Sequence, residues 1–153
     1  MMQSRRIDPL LRRAQDHEDA VARDLAERQR TLSMHESRLE ELRGYAEEYA
    51  NSQLAATSPA QLANRRAFLD RIDSALQQQA RTVDHSRASV DVERTRLLLA
   101  GRDKQVLEQL AASYRAQEHQ VVERRNQREM DDLGARRVRL AAAAAAQETE
   151  EAQ

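Results

Sequence analysis

The sequence has no cysteine and no tryptophan, and it contains only two prolines and three glycines among 153 residues. Without cysteine the chain cannot form a disulfide bond, a thiol nucleophile or a cysteine-ligated zinc site, which fits a reducing cytosol. With so little proline and glycine, helix-breaking residues are rare, and 33% of the residues are charged. This composition is typical of long, exposed helices and not of a deep globular core.

A long apolar run is also missing. The longest is the alanine-rich segment 140–146, far short of the roughly 20 residues that a membrane span requires. No signal peptide is recognisable either. The formal net charge is -1 with both signs interspersed, which provides no basic field and predicts no binding to nucleic acid.

Features of catalytic and metal sites are absent from the sequence. It has no glycine-rich phosphate loop and no H-E-x-x-H motif. The histidines stand singly at wide intervals, so that none has a second ligand at metal spacing. They are His17, His35, His85 and His119. We therefore predict that the protein is not an enzyme and has no catalytic residue, metal or cofactor.

Both prolines follow a residue that can cap a helix. Asp8 precedes Pro9, and Ser58 precedes Pro59, with a glutamine at position 61 that completes a capping-box pattern. These signals predict a helix over residues 9–54, a turn at 55–58 and a helix over 59–140. We expect residues 1–140 to form a single coiled-coil domain and the alanine- and glutamate-rich tail, 141–153, to be disordered.

Apolar residues in both helices recur alternately three and four positions apart, the heptad pattern of a coiled coil. In the first helix the a and d positions are Leu11, Ala14, Glu18, Val21, Leu25, Arg28, Leu32, His35, Leu39, Leu42, Ala46 and Tyr49. In the second they are Leu69, Ile72, Leu76, Gln79, Val83, Ser86, Val90, Glu93, Leu97 and Ala100. A phase change near Gly101 is expected, after which the pattern resumes at Leu107, Leu110, Tyr114, Gln117 and Val121.

A short connection between two such helices predicts an all-α fold, a long antiparallel two-helix coiled coil. One register aligns both seams, for example Ala46 with Ile72. The same register sets Arg28 against Val90, so we expect poor packing in the middle of the hairpin. Beyond about Leu110 the second helix outlasts its partner and overhangs it.

Three of the four aromatic residues lie on both sides of the predicted turn: Tyr45, Tyr49 and Phe68. One interpretation is that they close the end of the seam. However, Tyr45 and Phe68 fall at g positions, on the flank of their helices. A partly exposed aromatic band of this kind is typical of a protein contact.

The same stretch resembles a known family. The pattern Y-x-x-x-Y near the end of the first helix, followed by N-x-x-x-F-L-x-x-I-x-x-A in the second, is similar to FliJ, the coiled-coil protein of the flagellar type III export apparatus. The resemblance implies a stalk, monomeric alone, that inserts into the hexameric export ATPase and also contacts the export gate membrane protein and export chaperones. It further implies that the protein associates with the cytoplasmic side of the cell membrane only peripherally, through these partners. It implies a partner-binding surface of Arg38, Leu42, Tyr45, Tyr49, Phe68, Ile72, Ala75 and Gln79.

The overhang suggests a second partner surface, for the gate or for chaperones, at Tyr114, Gln117 and Val121, which keep heptad spacing. Two alternatives remain open from the sequence. One is the corresponding stalk of a virulence injectisome, which neighbouring genes would distinguish. The other is a structural coiled coil that self-associates through its long second helix, which a mass measured in solution would distinguish.

Overall fold

The structure, a computed structural model, describes residues 3–52 and 58–152. They form two α-helices, α1 (Gln3–Asn51) and α2 (Pro59–Glu151), and within these ranges no residue belongs to a strand. The two long helices pack against each other, which confirms the predicted all-α hairpin. Where a single domain was expected, the chain forms two compact units. We call residues 13–104 the hairpin unit, and the described residues up to Arg12 and from Gln105 onward the terminal unit.

The first helix begins earlier than the capping signal predicted. α1 starts at Gln3 and contains Pro9 in its interior. The missing N–H of Pro9 leaves the carbonyl of Arg5 without its helical partner, and Arg5 is exposed. A separate contact holds the first turn of α1: the backbone N–H of Ser4 donates to Glu118 Oε1 at 3.1 Å. A carboxylate supplied by α2 thus satisfies an N–H group that the first turn of a helix leaves unpaired.

The second helix begins where the sequence predicted. The backbone N–H of Gln61 donates to Ser58 Oγ at 3.3 Å, and that of Leu62 donates to the carbonyl of Ser58 at 3.2 Å. These bonds are the ones that an N-cap serine makes. The predicted end of the first helix at residue 54 and most of the predicted turn lie outside the described residues.

The C-terminal tail is helical, where disorder was expected. α2 continues through the alanine run to Glu151. Alanine has the highest helix propensity of any residue, and Thr149 Oγ1 donates to the carbonyl of Ala145 at 3.0 Å. All described side chains from residue 119 onward are exposed. We call residues 119–151 the overhang.

The seam of the hairpin unit has the predicted register. Its contacts across the two helices include the rings of Tyr49 and Phe68, and the Nε2 of Gln79, which donates to the carbonyl of His35 at 3.0 Å. In the middle of the hairpin unit Val90, expected to face Arg28, is only 2% exposed. Arg28 is exposed, and it lines a polar depression of about 280 Å³ together with Glu93 and Arg96 of α2.

The expected phase change near Gly101 does not occur. The least exposed residues continue the alternation of three and four through Lys104, Leu107, Ala111, Tyr114 and Glu118. Leu110 lies outside this seam, and Ala111 is 1% exposed in its place. α1 therefore covers α2 as far as Glu118 and not only to about Leu110. The sequence pattern failed here because two seam positions hold charged residues.

Candidate partner-binding site

The end of α1 is held by an arginine from α2. Arg65 Nη2 donates to the carbonyls of Ser52, Ala50 and Tyr49, at 3.1, 3.3 and 3.5 Å. The last carbonyls of a helix lack partners within the helix and carry partial negative charge, so a guanidinium stabilises them. The Oγ of Ser52 also donates to the carbonyl of Tyr49 at 2.8 Å. These bonds fix the backbone next to the aromatic residues.

A surface depression of about 500 Å³ lies beside this helix end. We call it the aromatic pocket. Its lining consists of Leu42, Tyr45, Glu48, Tyr49, Ser52, Phe68 and Ile72. Most of these side chains are apolar, and one carboxylate stands among them. Such a surface suits an apolar or aromatic side chain of a partner, with Glu48 able to accept from a donor at the rim.

The aromatic side chains of the pocket differ in their surroundings. The ring centroids of Tyr49 and Phe68 are 4.4 Å apart, with 54° between the ring planes, a tilted arrangement that stabilises aromatic pairs. The guanidinium of Arg65 lies 6.0 Å from the centroid of Tyr49, at the limit of a cation–π contact. Tyr45 makes neither contact and is 61% exposed. Tyr49 thus closes the seam, whereas Tyr45 presents its ring to solvent.

The structure brings together five of the eight residues predicted for partner binding. The five in the pocket are Leu42, Tyr45, Tyr49, Phe68 and Ile72. Arg38, Ala75 and Gln79 lie outside it. Gln79 bonds the backbone of His35, Ala75 is half-buried and Arg38 is exposed.

Sequence reasoning missed Glu48, Ser52 and Arg65. Glu48 and Ser52 each follow a pocket tyrosine by three residues, so helical spacing alone places them on the same face. The role of Arg65 had no such signal, because its partners on α1 lie 13 to 16 residues away in the sequence.

The second predicted surface is divided by the structure. Tyr114 is half-buried in the seam of the terminal unit, whereas Gln117 is exposed and Val121 is 65% exposed. Close to Tyr114, Arg115 Nη2 lies 3.4 Å from Asp8 Oδ1 of α1. Tyr114 therefore belongs to the covered part of α2, and Gln117 and Val121 to its free surface.

The described parts of the chain contain neither a group of metal ligands nor a candidate membrane span. Among residues 3–52 and 58–152, no group of three or more histidine, aspartate or glutamate side chains is arranged to hold a metal ion. Neither α1 nor α2, over those residues, contains a stretch that is apolar enough and long enough to cross a bilayer.

A two-helix coiled coil with an apolar surface pocket beside its turn belongs to the class of helical interaction proteins. The family model described as "Flagellar FliJ protein" matches residues 2–143, and the chain belongs to this family. It is thereby a component of the flagellar export apparatus. A search of curated proteins and a search of solved structures gave no match.

Proposed function

We propose that the protein is a non-enzymatic stalk of the flagellar export apparatus that binds the hexameric export ATPase through the aromatic pocket. The observation that carries this proposal is the exposure of apolar surface at a rigid site, with Phe68 44% exposed and Tyr45 more so. A monomeric protein gains nothing from exposing aromatic rings, and rigid aromatic side chains are common anchors of protein interfaces. The flagellar family match favours this system over a virulence injectisome.

The proposed mechanism is mechanical and allosteric. The aromatic pocket makes the surface near the turn end asymmetric, because its lining combines seam residues with the flank residues Tyr45 and Phe68. A ring of identical subunits around such a hairpin meets a different surface at each subunit. Binding energy that differs between subunits shifts their conformational equilibria, which couples the hairpin to nucleotide hydrolysis in the ring.

The export gate and export chaperones are proposed to bind the free part of α2. Gln117 and Val121 begin this second surface, while Tyr114 supports it from within the seam. Through these partners the protein would associate peripherally with the cytoplasmic side of the membrane at the flagellar base. A stalk with two separate surfaces is able to contact the ATPase and the gate at once.

The substitution Tyr45→Ala tests the proposal. Because Tyr45 is exposed and contributes little to the seam, helix content and melting temperature should stay unchanged. Loss of an aromatic anchor should weaken binding to the purified ATPase about tenfold, and should reduce ATPase stimulation and motility. The matched control is Leu62→Ala, which also removes an exposed apolar side chain near the turn but not one from the pocket.

Equal binding by the Tyr45→Ala variant, the Leu62→Ala variant and the unchanged protein would show that the pocket is not the ATPase contact. In that case the aromatic residues only close the seam. A parallel measurement of circular dichroism on each variant separates this outcome from unfolding.

A further inference from the structure

The overhang has an exposed apolar face. Its five large apolar members are between 49% and 71% exposed. At 100° per residue they fall within an arc of about 160° around the helix. They are Val122, Met130, Leu133, Val138 and Leu140. We call this set the apolar face.

The apolar face is not a continuation of the hairpin seam. Extending the seam spacing beyond Glu118 leads to Val121, then Arg125 and Arg128, which are charged. The side of the helix away from the apolar face carries most of the charges, and some of these neutralise each other, as Arg125 Nε and Glu129 Oε1 do at 3.0 Å. α1 therefore could not cover the apolar face simply by being longer.

Only two charged residues between positions 122 and 140 project from the middle of the apolar face. Glu123 lies seven residues before Met130, and Arg137 lies seven residues after it. Seven residues are close to two helical turns, so all three side chains lie on one line along the helix. Charges of opposite sign at equal distances from a central apolar residue are self-complementary under a two-fold rotation.

This symmetry identifies the occupant of the face. We propose that the overhang pairs with the overhang of a second copy of this chain, antiparallel and centred on Met130. In this register Glu123 of each copy faces Arg137 of the other, and Val122 faces Val138. Asn126 faces Gly134, where a glycine with open space around its Cα allows close approach. This inference goes beyond the proposed function.

The expected dimer is weak and depends on concentration. Its interface involves about 23 residues of one helix from each copy and contains few large side chains, which is small for a stable complex. It requires only overhang residues and no opening of the hairpin seam. At low concentration the protein would be the monomer that the family resemblance implies.

Cysteine cross-linking tests the register directly, because the chain has no cysteine of its own. In the full-length Met130→Cys variant, the two thiols meet on the two-fold axis, and mild oxidation should give a disulfide-linked dimer. The control is Leu133→Cys, on the same face. Its two thiols would be offset by about six residues, or about 9 Å along the axis, too far for a disulfide bond. Equal cross-linking of both variants would overturn the proposal.

Charge reversal tests whether the occupant of the apolar face is a second copy of this chain. In sedimentation equilibrium from about 1 to about 100 µM, Glu123→Arg and Arg137→Glu should each weaken dimerisation about tenfold, and the double variant should restore it. A protein that stays monomeric over the whole range would overturn the proposal. Hydrogen exchange of the Val122 and Leu133 amides gives a second test. If these amides become protected only when an export chaperone is added to the monomer, the chaperone covers the apolar face and the proposal is overturned.

Discussion

At the scale of single residues, Arg65 shows how one side chain organises a binding site that it does not line. Its guanidinium bonds three carbonyls at the end of α1 and lies over the ring of Tyr49. It thereby connects the backbone of α1 to the first turns of α2. The aromatic pocket is preorganised by this link, which lowers the entropy that binding would otherwise have to overcome.

A second residue of this kind is Glu118, which caps the start of α1. Its Oε2 accepts from the Oγ of Ser4 at 2.7 Å and its Oε1 accepts from the Ser4 backbone. The hydroxyl bond and then the backbone bond hold the pKa of Glu118 below its ordinary value of 4.5. A carboxyl group with a lowered pKa stabilises the fold above its ordinary pKa and loses that effect as the pH falls through the lowered pKa.

We predict that Ser4→Ala raises the pKa of Glu118 toward its ordinary value, as measured by NMR titration of the labelled carboxyl carbon. The variant should melt at a lower temperature than the unchanged protein at pH 7, and the difference should shrink as the pH falls through the lowered pKa of Glu118, because the carboxyl group is then protonated in both proteins. Ser113→Ala, at an exposed position of α2, is the control. A pKa of Glu118 that is the same with and without the Ser4 hydroxyl would contradict the capping role.

At the scale of elements, most of the hairpin could be predicted because heptad spacing and the Ser58 cap are local signals. The register also followed, since one alignment matched apolar positions in both helices. The phase beyond Gly101 could not be predicted from apolar spacing. Lys104 occupies a seam position, and only the structure shows that Glu18 of α1 compensates its charge, with Lys104 Nζ 3.2 Å from Glu18 Oε2.

This ion pair supplies a prediction about the seam. Replacing Lys104 alone with leucine leaves the mostly buried carboxylate of Glu18 without its cation, so the variant should melt at a lower temperature. Replacing both residues with leucine should restore or exceed the original melting temperature, because two apolar side chains then pack at a seam position.

Thermal unfolding followed by circular dichroism measures both effects. The control pair is Arg94→Leu with Asp91→Leu, an exposed ion pair within α2, for which little change is expected. If the double leucine variant is less stable than Lys104→Leu alone, apolar packing cannot replace the ion pair. The Lys104–Glu18 ion pair would then be what holds the helices together at that position.

At the scale of the whole molecule, the candidate site was partly predictable. The grouping of Tyr45, Tyr49 and Phe68 near the turn was evident from composition and heptad spacing. The other five predicted residues, Arg38, Leu42, Ile72, Ala75 and Gln79, were included only by resemblance to the family, and of these Leu42 and Ile72 line the pocket. The limit of the overhang was misjudged because it depended on where α1 begins, and Pro9 suggested a later start.

The proposal that the ATPase and the export gate bind different surfaces predicts the result of truncation. A chain ending after His119 keeps Glu118 and the complete seam, so its melting temperature and its stimulation of the ATPase should match those of the full chain. Export in cells should fall, because the free part of α2 is lost.

The matched control ends after Leu110 and should melt at a lower temperature, since it removes Ala111 and the capping carboxylate of Glu118. Normal export by the chain ending after His119 would show that residues 120–153 are dispensable. Unfolding of that chain would show instead that the overhang packs on the hairpin, which would contradict a separate second surface.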